Sequence, residues 1–168
     1  LEYLSLYDYH SRLSQAGAAA SEQTAVNFDK VRAICTEITK DLSTRQKYVV
    51  LIRLFEFILS ESKEVSITEK QYLEVVAEVL NITDKDYALG YSFAEKNTTE
   101  IDSRQCLLIN AKESSTSSAK HIRRPGMAGE ITVIRFSQPE IIFAKYTGKD
   151  TLTLNGQQIA ARRIYVLA

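Results

Sequence analysis

The chain has no tryptophan, one methionine, two prolines, two histidines, two cysteines and six glycines in 168 residues. Each shortage removes a class of function. Cys35 and Cys106 are far apart and match no metal-ligand or redox spacing. Both lie in apolar stretches, where a free thiol behaves as a small hydrophobe. Two unpaired cysteines of this kind imply a reducing, cytoplasmic setting. The glycines form no P-loop, dinucleotide fingerprint or nucleophile elbow. A Ser–His or Cys–His catalytic pair would have to use His10 or His121, and the residues around neither resemble such a site. The expectation is a non-catalytic protein without a cofactor. A hydrolase assembled from Ser, Tyr and carboxylate groups is the weakest alternative.

Long apolar runs are also missing. The longest, 48–59, is interrupted by Arg53 and Glu56, well short of the ~20 apolar residues of a membrane helix. Direct membrane insertion is therefore not expected. Charge of one sign is missing as well: 21 basic residues face 21 acidic ones. No overall basic field draws in nucleic acid. The pairs Arg123-Arg124 and Arg162-Arg163 can touch phosphate, but without interleaved stacking aromatics they read as solvated charges.

What is present divides in two. Residues 1–110 hold 12 basic and 17 acidic residues, and residues 111–168 hold 9 and 4. The halves therefore carry opposite net charge, which implies two mutually attractive units. The first reads as helical. "YLSLYDYHSRLSQ" predicts an opening helix with Leu4, Leu6, Tyr9 and Leu13, and "GAAAS" (17–21) predicts a break. A second helix is expected from about Glu22 to Leu42, with Val31, Ile34, Cys35, Ile38 and Leu42 in one buried stripe. "STRQ" (43–46) fits a capping box. The helix after it, about 44–60, is apolar around most of its circumference and belongs in the centre of a bundle. "SITE" (66–69) is a second capping box. It starts a helix to about Leu80 that turns Leu73, Val76, Ala77 and Leu80 inward. Thr83 can cap a last helix, "DKDYALGYSFAEK". Short connections predict an antiparallel bundle.

After "NTTE" (97–100) β-branched and aromatic runs alternate with turn residues. Strands are expected near 105–110, 118–123, 130–136, 140–146, 151–154, 157–160 and 163–167. "RPGMAG" (124–129) has the Pro and Gly of a hairpin loop, and Asn155-Gly156 is a strong hairpin signal. The serine-rich stretch 112–120 reads as a solvated loop, with phosphorylation at 114–118 as the alternative. Helices followed by strands predict an α+β chain or two separate domains. The expected division is a helical bundle over 1–98 and an antiparallel β-rich unit over 99–168. The ending "RRIYVLA" raises the expectation that this unit continues in a longer polypeptide.

The one candidate binding stretch is "LSESKEVSITEKQ" (59–71), with Glu61, Glu64 and Glu69. A calcium site needs several oxygens in fixed geometry, usually with a glycine at the sharp turn. This corner has neither aspartate nor glycine, and Lys63 stands among the carboxylates. Glu69 is also the expected capping-box partner, and acidic residues at a helix start favour the helix dipole without any ion.

"VVLIRLFEFILSESKEVSITEKQYLEVVAEVLNIT" (49–83) resembles the TerB-like family of small helical bundles, associated with tellurite resistance and bacterial stress systems. The resemblance covers about a third of the chain directly. It implies a bundle in which some members bind divalent cations through acidic residues at this corner. Family members commonly carry Asp-Gly there; Glu61-Ser62-Lys63 stands in that region here, and Glu69 matches the acidic position at the helix start. The back half, "HIRRPGMAGEITVIRFSQPEIIFAKYTGKDTLTLNGQQIAARRIYVLA" (121–168), is similar to a stranded region of large ATP-binding-cassette proteins of Bacteroidetes type. There a TerB-like bundle precedes a β-rich unit reminiscent of forkhead-associated domains, and then the ATPase. The arginine and serine with which a forkhead-associated domain binds phosphothreonine have no match in this sequence.

Together these resemblances imply a cytoplasmic regulatory or scaffold module that contacts partner proteins or other domains of its own polypeptide. The alternative they imply is a cation-responsive module of a stress system, with Glu61, Glu64 and Glu69, and with Asp84 or Asp86, as ligands.

Overall fold

The computed structural model describes Arg12 and residues 27–61, 64–95, 101, 104–115 and 117–167; the side chain of Glu61 is not among them. The opening helix and the break at 17–21 lie outside the described residues. The chain is α+β, and the described residues form four helices followed by seven strands. It divides into two compact units, Leu1–Tyr91 and Ser92–Ala168.

The helical unit is built from α1 (Phe28–Thr39), α2 (Thr44–Glu61), α3 (Ile67–Val79) and α4 (Asp84–Glu95), the last of which runs through the boundary. α1 begins later than Glu22 because Asn27 is its N-cap: its backbone is extended, and its side chain accepts from the Lys30 N–H at 3.1 Å. Val31, Cys35, Ile38 and Leu42 are buried, and Ile34 is half-buried. The expected stripe is thus in place. Ser43 and Gln46 form the capping box at the head of α2 through reciprocal bonds of 3.3 and 2.7 Å. Along α2, Val50, Leu51, Ile52, Leu54, Phe55 and Ile58 are all buried. Each such side chain contributes about 1.5–3 kcal/mol relative to exposure.

Two neighbouring helices show why α2 is apolar on so many sides. It packs on α3. Towards α4, Phe55 meets the edges of Tyr87 and Tyr91 at 5.2 and 5.5 Å, and the Tyr48 hydroxyl donates to Asp86 at 2.6 Å. α3 also packs on α1, where Arg32 and Glu78 pair at 2.7 Å. Both partners of that pair are exposed, so solvent screens it and it adds little to the packing of the two helices.

In the second unit, β1 (Cys106–Asn110), β2 (Lys120–Arg123), β3 (Glu130–Ser137), β4 (Glu140–Thr147) and β7 (Ile164–Val166) form one sheet in the order β2-β1-β3-β4-β7. β5 (Leu152–Leu154) and β6 (Gln157–Ile159) form a separate ribbon. Its turn is the expected one, with Asn155 and Gly156 both at positive φ, 50° and 81°. β3 and β4 turn at a cis Gln138–Pro139 bond. The main face of the sheet buries Cys106, Leu108, Ile134, Phe136, Ile141, Phe143 and Ile164. Phe136 and Phe143 meet edge to face at 5.9 Å.

Residues 124–129 do not close a hairpin. β1 lies between β2 and β3, antiparallel to β3 but parallel to β2. The local turn chemistry is nevertheless as expected. Arg124 accepts from the Met127 N–H at 3.2 Å across Pro125-Gly126, with Gly126 at φ 80°. The chain reverses there and passes the end of β1 before entering β3. Turn residues report a reversal, whereas strand neighbours are decided by which pairs share the ladder and the core. The serine-rich segment connects the two parallel strands. It holds itself by turns in which the Ser117 N–H bonds Ser115 Oγ and the Ala119 N–H bonds Ser117 Oγ, and the Ser118 hydroxyl donates to the Ile101 carbonyl.

Candidate functional site

The acidic corner follows α2. Ser66 is the N-cap of α3, with extended backbone, and its Oγ accepts from the Glu69 N–H at 3.2 Å. Glu69 Oε2 in turn accepts from the Ser66 N–H at 2.8 Å and from the Ser66 hydroxyl at 2.7 Å. The Glu69 side chain is buried by this arrangement, which also places its negative charge at the positive end of the helix dipole. Glu64 is exposed, and the Glu61 side chain and Lys63 lie outside what is described. Asp84 is exposed in the first turn of α4, and Asp86 accepts from Tyr48. Among the described residues no three His, Cys, Asp or Glu side chains group as metal ligands do.

A second polar group lies in the sheet. The Asn110 side chain, buried at the end of β1, donates from Nδ2 to Glu130 Oε2 at 2.7 Å. Its Oδ1 accepts from the Lys112 N–H at 3.0 Å and lies 2.9 Å from His121 Nε2. Because a backbone N–H donates to Oδ1, that atom is the amide oxygen, and His121 must donate to it from Nε2. The register places these residues together: Ile109 pairs with Ile131, which brings Asn110 beside Glu130, and His121 lies on the neighbouring β2. The three side chains tie the ends of three strands, and they orient an imidazole that is half-buried. Nothing close to His121 in the sequence points to these partners. The signal for its partners is non-local, since only the parallel pairing of β1 and β2 brings residue 110 to residue 121.

Lys145 is the third buried polar group. Only 8% exposed, it sits on β4 opposite Thr132, and its ammonium donates to the Ala94 carbonyl at 2.9 Å in the last turn of α4. A cation at a helix C-terminus satisfies a carbonyl that the helix leaves open and complements the dipole.

Burial also acts on five titratable groups in the cores. Burial pushes the thiols of Cys35 and Cys106 up to about 11, with the Glu130 carboxylate adding to the effect at Cys106. Neither is therefore a thiolate near neutral pH. Burial likewise raises Tyr48, Tyr72 and Tyr87, with the bond to Asp86 contributing at Tyr48. Among the described residues no helix is long and apolar enough to cross a membrane.

No family model matches the chain, and neither does any curated protein or solved structure.

Proposed function

We propose that this chain is a non-catalytic, cytoplasmic regulatory or scaffold module. In this reading a TerB-like bundle and a β-rich unit present contact surfaces to partner proteins or to other domains of a longer ATP-binding-cassette polypeptide. The observation that carries the reading is the outer boundary of the five-stranded sheet. Among the described residues β2 and β7 pair on one side only, and large apolar side chains stand exposed on or beside them: Ile122 at 44%, Val166 at 41% and Leu167 at 39%. Open edges with exposed apolar residues are where a β protein accepts a further strand. The buried polar side chains support the same reading, since Glu69 holds a helix start, Lys145 a helix end and Asn110 a strand junction.

The reading of the gene beyond Ala168 tests the proposal. A Walker A motif in the same frame is expected. A frame that ends or continues without one contradicts the transporter assignment.

A further inference from the structure

We infer that the outer edge of β2 binds an extended acidic segment of a partner protein as an added strand. This rests on the contact-module reading and names the partner chemistry of one edge. The direction of the backbone groups comes first. The Arg124 N–H bonds the Asn110 carbonyl at 2.6 Å, so it faces β1. Lateral direction alternates along a strand, so the N–H and C=O of Ile122 also face β1, in keeping with its register opposite Ile109. Those of His121 and Arg123 then face away from the sheet. They form a donor–acceptor ladder that takes a strand without disturbing the β1–β2 pairing.

Charge selects the occupant. Lys120, Arg123 and Arg124 lie on or at the end of this strand and Lys112 in the connection leading to it, all four exposed. Glu113 stands 3.4 Å from Arg123, but both side chains are largely in solvent at 84% and 52% exposure, so an incoming carboxylate can exchange with it. Glu130 is bonded to Asn110. A second copy of the chain would set these cations against their own kind, which disfavours self-pairing. An acidic strand meets them favourably, and Ile122, outward on the other face, offers an apolar contact for its alternate side chains.

The whole chain is titrated with a fluorescent peptide that alternates glutamate and valine, read by anisotropy. Two variants separate charge from backbone. Arg123→Ala removes the guanidinium alone. Arg123→Pro removes the guanidinium and also the outward N–H, a position a β-edge tolerates because that donor makes no bond to β1. Saturable binding is expected, with Arg123→Pro weaker than Arg123→Ala by about three- to tenfold, the value of one hydrogen bond. A control peptide that alternates lysine and valine should not bind. The wild-type chain should also lose affinity for a glutamate–valine peptide N-methylated on alternate residues, a comparison that stands even where Arg123→Pro fails to fold. Absence of saturable binding, equal affinity of the two variants, or equal affinity for the methylated peptide overturns the inference. So does displacement of the peptide by single-stranded nucleic acid that binds both variants alike. The result is separable from the gene reading: a downstream Walker A motif with no peptide binding removes this edge assignment alone, and peptide binding without that motif removes only the transporter context.

Discussion

The helical unit and the sheet unit are stabilised by the same kind of apolar core but are specified at different ranges. In the helical unit the decisive contacts are close in sequence. Ser43 with Gln46, Ser66 with Glu69 and Asn27 with Lys30 each set a helix start within three residues. In the sheet unit they are distant: Asn110 with His121 and Glu130, Ser118 with Ile101, Lys145 with Ala94. Local chemistry fixes where an element begins, and only the assembled ladder fixes its neighbour.

That comparison gives its largest test in the two cores. Phe55→Ala in α2 and Phe143→Ala in β4 each empty a site that is fully buried. Each should cost about 3–5 kcal/mol in urea unfolding. If the loss in one unit is below about 1 kcal/mol, the equal reliance on a packed core fails for that unit.

Smaller effects probe the distant contacts. Lys145→Met keeps most of the apolar stem but leaves the Ala94 carbonyl without its cation, so a loss of about 1–3 kcal/mol is expected. Amide exchange near Ala94 should quicken. Unchanged exchange there would mean the cation contributes little to the helix end. Gly126 has φ 80° and open space where a Cβ would stand. Gly126→Ala should therefore cost only the left-handed backbone penalty, about 1–2 kcal/mol, in thermal unfolding. A larger loss would show the turn to be more tightly packed than this.

Alkaline pH separates the units next. Cys35, Tyr48, Tyr72 and Tyr87 in the helical unit, and Cys106 in the sheet unit, are all held above their ordinary values. A raised value means the fold binds the proton more tightly than the unfolded chain does. The stabilisation is complete below the ordinary value, near 9 for the thiols, and is lost as pH climbs through about 11. Circular dichroism followed upward from pH 9 should show helical signal lost first, because more such groups lie there. Loss of strand signal before helix would reverse the comparison.

Much of the fold was legible in the residues. The stripe of α1, the all-round apolar α2 and both capping boxes follow from spacing alone, and the Asn155-Gly156 ribbon follows from turn chemistry. The strands at 130–137 and 140–147 were visible as β-branched and aromatic runs. What escaped was order. Pro125-Gly126 marks a reversal but not which strands pair, because nothing local to 124–129 records that β1 separates β2 from β3. The capping role of Glu69 was readable three residues away. The Asn110–His121–Glu130 group was not, because it exists only once the parallel pair has formed. The buried Lys145 escaped for the same reason, since its partner lies in a helix far back along the chain.

The acidic corner brings these themes to one decision. Ser66→Ala should cost about 1 kcal/mol as a lost cap, and the Glu69 carboxylate is held by the Ser66 N–H and hydroxyl. The most direct test of a contact module against a cation-responsive one is the melting temperature of the whole chain in calcium, in magnesium and in chelator, beside Glu69→Gln. Coincident wild-type curves, with Glu69→Gln lower by the same amount in all three, are the predicted result. A wild-type rise with either ion that Glu69→Gln abolishes would contradict it, since an ion that binds the native state must stabilise it.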